Sequence, residues 1–388
     1  MNILIVAPYF PPQKTVAVVR IASLTRYLIK QGCQVTVLTN KYYEEKEETN
    51  DFVLENIKKI EVENTREKFF VRKKIYEDKF IEVMDNNNFD CIFITGGPFY
   101  TFSLCKIAKK RYNTKCIVDF RDLWIFDMRS KKEFYKPMNI MKKVIFYPIE
   151  RNAIKYADVV LTVTEGWGRI LKKVYFKYKD KVEIIFNGYD LEDISTKPKE
   201  PRDDGRFNIE GFKIMTFGKL TYYSEYYSTI FLKALKRICN EYSHVRLIQI
   251  GTEEERTINI MKEVGMHKEK YVNTGFCQYH QGIRILQNAN VCVIIDIRNH
   301  AIGTKIYDYI YINKPIIYIG KKNTQLAKLV TSFESGFSCQ TEEEVYKAIT
   351  EIANNKIDYL TNKKNINKYS REYQNEKVFS VLKKLTEG

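Results

Sequence analysis

Short apolar runs of strand length alternate with amphipathic segments of helical length along most of this chain. Residues 3–6 and 35–38 are such runs, and between them residues 16–31 show helical apolar spacing that stops at Gly32. A second series begins with the apolar run at 214–217. Because strands that alternate with helices form parallel sheets covered on both faces, the sequence predicts an α/β protein with doubly wound parallel sheets.

The chain divides at a polar segment near its middle. Its 388 residues are enough for two domains of about 100–200 residues each. Residues 195–205 contain two prolines, many charges and almost no apolar side chain, as expected of a linker. We therefore predict one domain over residues 1–195 and a second over residues 206–369.

The composition argues against several classes of protein, among them membrane-spanning, zinc-binding and disulfide-rich proteins. The longest apolar runs are shorter than the roughly 18 residues that a membrane span needs. The eight cysteines are scattered without CxxC spacing, which argues against a zinc site or a disulfide framework. The first residues have no basic lead and no cleavage site, so we expect a cytoplasmic protein without a signal peptide.

The formal net charge of +16 calls for an explanation. No RRM, KH or zinc-finger signature accompanies the charge, so nucleic acid is not the expected partner. Basic clusters at 72–74, 106–111 and 142–143 lie near apolar residues, which suits peripheral contact with an anionic membrane on the inner face of the cell membrane. The aromatic side chains expected to contribute are Phe69, Phe70, Phe146 and Tyr147. The alternative is a lysine-rich but simply solvated surface.

Loops that follow strands are the first places to look for a site. In open parallel sheets, ligands bind beyond the carboxyl ends of the strands. Residues 8–14, 96–98 and 121–124 occupy that position in the first domain. Arg121 and Asp122 are therefore candidate site residues, although Asp122 could also cap a turn. No GxGxxG follows the first strand, so a dinucleotide site there is not expected.

The most informative loop in the second domain is the one at 299–309. It lies between apolar runs at 290–296 and 316–319, and the pattern predicts a helix that opens at Gly303-Thr304. Lys305 would sit in its first turn, where helix N–H groups also favour an anion. Asp308 would lie on the same helical face. A cation beside a carboxylate suits a nucleotide sugar, and the alternative is a surface helix with a chance Lys–Asp pair.

Four motifs in this order resemble glycosyltransferase family 4. They are PYFPP at 8–12, DFRDLW at 119–124, Asn187-Gly188 and GTKIYDY at 303–309. The resemblance implies a retaining, metal-independent enzyme of the GT-B fold, with two Rossmann-like domains facing across a cleft. It also implies that a last helix, at about 370–388, packs back on the first domain. The 119–124 variant resembles the bacterial branch that builds capsule, lipopolysaccharide and related surface glycans.

The resemblance also implies roles for individual residues. Lys219 and Lys305 would hold the donor diphosphate, Asp308 would bind ribose as the second acid of an E-x7-E signature, and His300 stands where the first acid falls. Arg121-Asp122 replaces a usual His-Asp pair. The donor-binding set is then Gly218, Lys219, Gly303, Thr304, Lys305 and Asp308; the catalytic set is Arg121, Asp122 and His300; the acceptor-side set is Gln13, Lys14 and Arg20.

Together these observations predict a glycosyltransferase. It would move a sugar from a nucleoside diphosphate, expected to be UDP, to a glycan or lipid-linked acceptor, without a cofactor or metal. The resemblance implies that the departing phosphate takes the acceptor proton, so no dedicated base is needed. Two alternatives stay open: a sugar-nucleotide epimerase of the same fold, and a non-catalytic glycan-binding relative.

Overall fold

The computed structural model describes residues 1–13, 15–42, 54, 57–63, 67–126, 137–191, 210–360 and 366–387. The chain forms two compact units, Met1–Asn187 with Arg371–Gly388, and Gly188–Ser370. Both units are α/β, as predicted from the alternating pattern. The predicted linker lies outside the described residues, and the domain limits at 195 and 206 stay predictions.

The first unit is built on a parallel sheet of seven strands. The strands are β1 (Asn2–Val6), β2 (Gln34–Asn40), β3 (Lys58–Val62), β4 (Cys91–Thr95), β5 (Lys115–Phe120), β6 (Val159–Thr162) and β7 (Val182–Ile184). The helices are α1 (Val16–Lys30), α2 (Phe69–Asp85), α3 (Leu104–Arg111), α4 (Pro137–Tyr156), α5 (Glu165–Val174) and, from the end of the chain, α12 (Arg371–Glu387). The strand order is β3-β2-β1-β4-β5-β6-β7.

Burial explains why the central strands read as unbroken apolar runs. All five residues of β4 are buried, as are four of the five in β1, since helices cover both faces of the sheet. On one face α12 packs against α1, where the Tyr27 and Phe379 rings meet edge to face and Asn375 Nδ2 donates to Ser23 Oγ at 3.1 Å. The end of the chain is therefore part of the first unit.

The second unit contains a parallel sheet of six strands. The strands are β8 (Phe212–Phe217), β9 (Val245–Ile250), β10 (Tyr271–Asn273), β11 (Val291–Ile295), β12 (Ile316–Ile319) and β13 (Gly336–Cys339). The helices are α6 (Glu225–Glu241), α7 (Glu255–Val264), α8 (Tyr279–Gln287), α9 (Lys305–Ile312), α10 (Gln325–Val330) and α11 (Glu342–Asn354). The strand order is β10-β9-β8-β11-β12-β13.

Local chemistry sets the ends of the second unit's helices. Ser224 caps α6, with its hydroxyl accepting from the Tyr227 amide at 3.2 Å. Asn313 ends α9 in the left-handed region at φ 55°, a conformation that asparagine tolerates better than most residues. Each sheet also has a point where the strand order reverses, between β1 and β4 in the first unit and between β8 and β11 in the second.

Two details of the sequence-based description differ from the structure. From the sequence, the apolar run at 91–95 predicts a strand, and one continuous helix is expected from Pro98 to Tyr112; the structure instead has a 3₁₀ turn at Phe99–Ser103 followed by α3. The strand β3 was not expected, because its sequence KKIEV is only weakly apolar. It pairs with β2 at one edge of the sheet, where charged side chains are common.

Candidate functional site

The candidate site of the second unit lies where its strand order reverses. The β8–α6 loop begins there with Gly218 and Lys219, and the β11–α9 loop runs from Asp296 to Thr304. Gly218 has φ +76°, in the left-handed region, which lets the chain turn sharply at the end of β8. Two loops from opposite halves of the sheet thus meet at the position where open α/β sheets bind ligands.

Lys219 and Lys305 come together at this point. Lys305 Nζ donates to the Lys219 carbonyl at 3.1 Å, across 86 residues of sequence. Burial lowers the pKa of Lys305 to about 8, although the carboxylates of Asp296 and Glu254 favour its charged form. Lys219 is exposed, and its Nζ lies 5.3 Å from the centroid of the Tyr222 ring. The two predicted phosphate ligands are therefore neighbours.

A third cation, Arg298, joins the cluster. Its guanidinium pairs with the buried Asp296 carboxylate at 2.6 Å and lies 4.2 Å from the centroid of the Tyr223 ring. A Cβ atom at Gly303 would lie 3.1 Å from Arg298 Nη2, so a side chain there would crowd the guanidinium. Arg298 was not predicted from the sequence. Its position two residues after an aspartate at the end of a strand is the pattern that could have indicated it.

Glu254 holds the β8–α6 loop in place. Its Oε2 accepts from the Leu220 amide at 2.6 Å and the Thr221 amide at 3.0 Å. The same residue is the N-cap position of α7, so α7 and the loop are fixed together. A carboxylate that accepts two backbone bonds shapes the loop that carries Lys219. Glu254 was also absent from the sequence-based set.

Asp308 has a partner inside the unit. It is 8% exposed, and its Oδ1 accepts a hydrogen bond from the Tyr279 hydroxyl. The Tyr279 ring stacks on Phe217, with centroids 6.0 Å apart and planes at 17°. The structure thus connects the predicted ribose ligand to an aromatic pair beside the end of β8. Its role in binding ribose stays a prediction.

The other predicted residues of the second unit lie along the β11–α9 loop. His300 is half-buried, and Gly303 and Thr304 immediately precede α9, with Thr304 at the N-cap position. The Asn299 carbonyl accepts from the Gln325 amide at 3.0 Å, which anchors the loop to α10. The loop places His300 in the same strand-end segment as Arg298 and Lys305.

In the first unit, the predicted acceptor-side Arg20 is engaged by internal partners. Its Nε and Nη2 donate to the two carboxylate oxygens of Asp119, at 3.2 and 3.0 Å, and its Nη1 donates to the Phe186 carbonyl at 3.0 Å. Asp119 is 1% exposed and accepts a further bond from Thr95. Arg20 therefore connects α1, β5 and the segment after β7.

Arg121 is engaged in the same way. Its guanidinium donates to the carbonyls of Gly96 and Gly97, both at 2.7 Å, and to the carbonyl of Ala17. Burial lowers its pKa. These bonds hold the loops after β4 and β5 against the start of α1. Asp122 is exposed, and their predicted catalytic roles are untested.

The remaining first-unit predictions have mixed outcomes. Gln13 is 8% exposed, and its backbone N–H donates to the Phe10 carbonyl at 3.2 Å, so it closes the proline-rich turn after β1. Lys14 lies outside the described residues. Thr164 caps α5, with its hydroxyl accepting from the Trp167 amide at 3.1 Å, and Glu165 begins that helix.

Three further observations concern metals, thiols and membranes. Among the described residues, no three or more His, Cys, Asp or Glu side chains gather where they could hold a metal ion. The cysteines are free thiols, seven of them buried. No helix in the described parts of the chain is both long enough and apolar enough to cross a membrane.

Part of the first unit matches a known protein family. Residues 17–193 match the model of Glycosyltransferase Family 4, which confirms the predicted family type for that part of the chain. A sequence relative, an uncharacterized glycosyltransferase of Methanocaldococcus jannaschii, is 28% identical over 156 residues. That match covers 39% of this chain and 35% of the relative, so the chain spans about a third of the relative's length.

Solved structures resemble the chain over almost its full length. A glycosyltransferase from Rickettsia africae matches with a TM-score of 0.71 and 15% identity, covering 99% of this chain and 98% of that one. HepE from Anabaena, in complex with UDP and glucose, matches with a TM-score of 0.64 and 14% identity, over 99% and 100%. A UDP-GlcNAc 2-epimerase from M. jannaschii matches with a TM-score of 0.61 and 12% identity, covering 98% of this chain and 99% of that one. These likenesses confirm the predicted GT-B fold.

Proposed function

We propose that this chain, whose residues 17–193 match the model of Glycosyltransferase Family 4, transfers a sugar from a nucleoside diphosphate, most simply UDP, to a glycan or lipid-linked acceptor. The observation that carries the proposal is the gathering of Lys219, Lys305 and Arg298 at the strand-order reversal of the second unit. Two lysines at that position, with Arg298 beside them on Asp296, suit a diphosphate better than any neutral ligand.

The proposed chemistry is stabilisation of a leaving group. As the glycosidic bond breaks, negative charge accumulates on the departing diphosphate. Lys219 and Lys305 would offset that charge, with Arg298 reinforcing them from its place on Asp296. Fixed cations act most strongly on charge that develops in the transition state, because they need no reorganisation at that moment.

The nucleoside would be held by the other side of the cluster. Asp308 is a buried carboxylate that accepts a hydrogen bond from the phenolic hydroxyl of Tyr279. A ribose hydroxyl would offer the same chemistry. The choice of UDP is supported by similarity in fold to a protein whose solved complex contains UDP.

Proton transfer would need no protein base. In the proposed retaining mechanism the acceptor hydroxyl attacks from the leaving-group side, and the departing phosphate oxygen takes its proton. His300 would position the donor sugar, from a loop that also carries Arg298. We propose that no metal takes part, so turnover should be unchanged in EDTA. Activity that disappears in EDTA and returns with Mg²⁺ would contradict this.

The acceptor and setting complete the proposal. We propose that the reaction serves bacterial surface polysaccharide synthesis, on the cytoplasmic face of the membrane. The net charge of +16 supports this setting, because a cationic protein is attracted to anionic lipid.

The test is a panel of UDP-sugars incubated with the full chain, with UDP release measured with and without lipid-linked and soluble glycan acceptors. Acceptor-dependent release of UDP, with the sugar recovered on the acceptor, is the expected result. Interconversion of UDP-GlcNAc and its C2 epimer without release would favour the epimerase alternative. Binding of glycan with neither reaction would favour the non-catalytic alternative.

A further inference from the structure

The first half of α4 exposes an unusual amount of apolar surface. Met138 is 61% exposed, Met141 54%, Val144 72% and Ile145 42%. Residues 137–149 contain no acidic side chain, and their only charges are Lys142 and Lys143. Soluble surfaces seldom gather large apolar side chains in this way without an interaction to serve.

Most of the aromatic side chains near this surface are occupied elsewhere. Phe146 packs on Phe69, with ring centroids 4.7 Å apart, and Tyr147 stacks on Tyr175 at 6.0 Å. Phe70 is the exception, because it is 53% exposed while its ring stacks on Phe146. The apolar contact surface therefore consists mainly of aliphatic residues of α4, rather than the aromatic set expected from the sequence.

One stripe of this surface leads into a basic cavity. Positions 138, 141, 145, 149 and 152 recur every three or four residues and so share one face of α4. Ile149 and Asn152 at the end of this stripe line a cavity of about 480 Å³ between α2, α3 and α4. Phe70 lies one turn before Lys73, which lines the same cavity from α2.

The charge of the cavity is strongly one-sided. Its lining includes four cations, Lys73, Lys106, Lys110 and Arg111, and a single carboxylate, Glu77. Lys73 pairs with Glu77 at 2.8 Å, and Arg111 pairs with Asp85 at 2.9 Å. Lys106 and Lys110 are exposed on α3, so their charge faces solvent. Ile81, Ile107 and Ile149 line the cavity beside the exposed lysines of its rim, and this combination of apolar and cationic groups matches the two parts of a phospholipid.

We propose that this surface, made of the exposed face of residues 138–145 in α4 with Phe70 and the rim of the basic cavity, docks on a bilayer of anionic phospholipid. This inference adds a membrane partner to the proposed function, and only its biological setting depends on that function. The apolar side chains enter the interfacial region of the bilayer; these are Met138, Met141, Val144 and Ile145. The lipid phosphates are contacted by four lysines, Lys142, Lys143, Lys106 and Lys110. The charge pattern favours lipid over a second copy of the chain, since two faces with this excess of cations repel.

The test is flotation of the full chain with vesicles of phosphatidylglycerol or phosphatidylcholine, at low and high salt. Binding to phosphatidylglycerol at low salt, reduced by salt and absent with phosphatidylcholine, is the expected result. K142E/K143E should weaken binding by at least about tenfold, because each lysine near the surface contributes to the attraction. M141D/V144D should weaken it to a similar extent by removing the inserted apolar groups.

Matched controls lie in the same unit. K172E/K173E makes the same charge change on two exposed lysines of α5, and Phe176→Asp places an acid at another apolar residue that is 67% exposed. Both should bind as the unchanged chain does. Three results would contradict the proposed docking surface. In the first, the unchanged chain does not bind phosphatidylglycerol vesicles at low salt; in the second, the controls lose as much binding as the test variants. In the third, M141D/V144D converts a dimer into a monomer, which would make the surface an interface between two copies of the chain.

UDP binding by the same variants separates this inference from the proposed function. All the substitutions lie in the first unit, so UDP should stabilise every variant against heat to the same extent. Vesicle binding without any response to UDP-sugars would leave the docking surface standing and remove the proposed transfer. A UDP response without vesicle binding would remove the docking surface alone.

Discussion

Each unit gathers cations near the carboxyl ends of its parallel strands, but the two units surround these cations differently. In the first unit, Arg20 is held by the buried Asp119 and Arg121 by three carbonyl groups. In the second unit, Lys219 is exposed and Lys305 donates to one carbonyl. The first arrangement satisfies the cations from within the protein. The second satisfies only Arg298 in that way, on the buried Asp296, and leaves the charge of the two lysines available to a ligand.

This difference teaches that position at a strand end is not enough to identify a ligand-binding cation. Arginine has five donors in a planar fork, and the first unit supplies carbonyl and carboxylate oxygens to match them. A lysine that donates to a single carbonyl retains two N–H groups that can bind phosphate. The partners, rather than the topology, distinguish a structural cation from a ligand-binding one.

The largest effect should come from breaking the first unit's buried ion pair. We expect Arg20→Ala to lower the free energy of unfolding by about 3–5 kcal/mol, because it leaves the Asp119 charge buried without its partner. Lys219→Ala is the matched change in the second unit and should alter stability by less than about 0.5 kcal/mol. Urea denaturation measures both. Equal losses in the two variants would contradict the comparison.

A second effect concerns Glu150, which is buried in the first unit. Its carboxylate accepts from the Tyr175 hydroxyl at 2.6 Å and the Ile125 amide at 3.0 Å, yet burial raises its pKa to about 7. The folded protein thus keeps the proton at a pH where the unfolded chain has lost it. The stability it contributes is complete below about pH 4.3 and is lost as pH rises through about 7.

Glu150→Gln should remove this dependence. Between pH 5 and pH 7.5 the unchanged chain should lose up to about 3 kcal/mol relative to the glutamine variant. Urea midpoints at the two pH values give the comparison directly. If the two proteins change in parallel over this range, the carboxyl group of Glu150 is already ionised in the folded state.

The third prediction tests the second unit's cations as ligand-binding groups. Lys219→Ala and Lys305→Ala should each weaken UDP binding about tenfold or more, since each removes a charge-assisted phosphate contact worth roughly 1.5–3 kcal/mol. Lys268→Ala, an exposed lysine at the opposite end of the sheet, is the control and should leave binding unchanged. Calorimetry with UDP decides the matter, and unchanged affinity in both site variants would remove the proposed phosphate site.

Much of the fold could be predicted from the sequence, because burial on both faces produces unmistakable apolar runs. The runs at 91–95 and 316–319 coincide with β4 and β12. The edge strand β3 could not be found in this way, since it is only partly covered. The helix start at Lys305 was correctly placed within two residues because glycine and threonine precede it.

The site was harder to predict, because it depends on contacts between distant residues. Arg20 and Asp119 are 99 residues apart, and Arg121 reaches Ala17 across 104. No local pattern shows that these arginines are satisfied internally. Arg298 was missed for the opposite reason, since its partner Asp296 is close but reads as the end of a strand. The helix-start pattern supplied Lys305, family resemblance supplied Lys219, and the structure supplied their proximity.

The smallest effect, and the finest test of the comparison, is the pH dependence of UDP affinity. Burial lowers the pKa of Lys305 to about 8, so in the free protein its ammonium group loses its proton as pH rises through that value. Phosphate binding needs the charged form, and binding above pH 8 must therefore include proton uptake. UDP should bind about fourfold more weakly at pH 8.5 than at pH 7 if the complex stays protonated. Lys305→Arg keeps its charge throughout this range, so its UDP affinity should not fall in this way. Any change with pH that this variant still shows measures the ionisation of UDP itself and can be subtracted. If both proteins show the same pH profile, Lys305 is not the titrating group, and its burial has no part in donor binding.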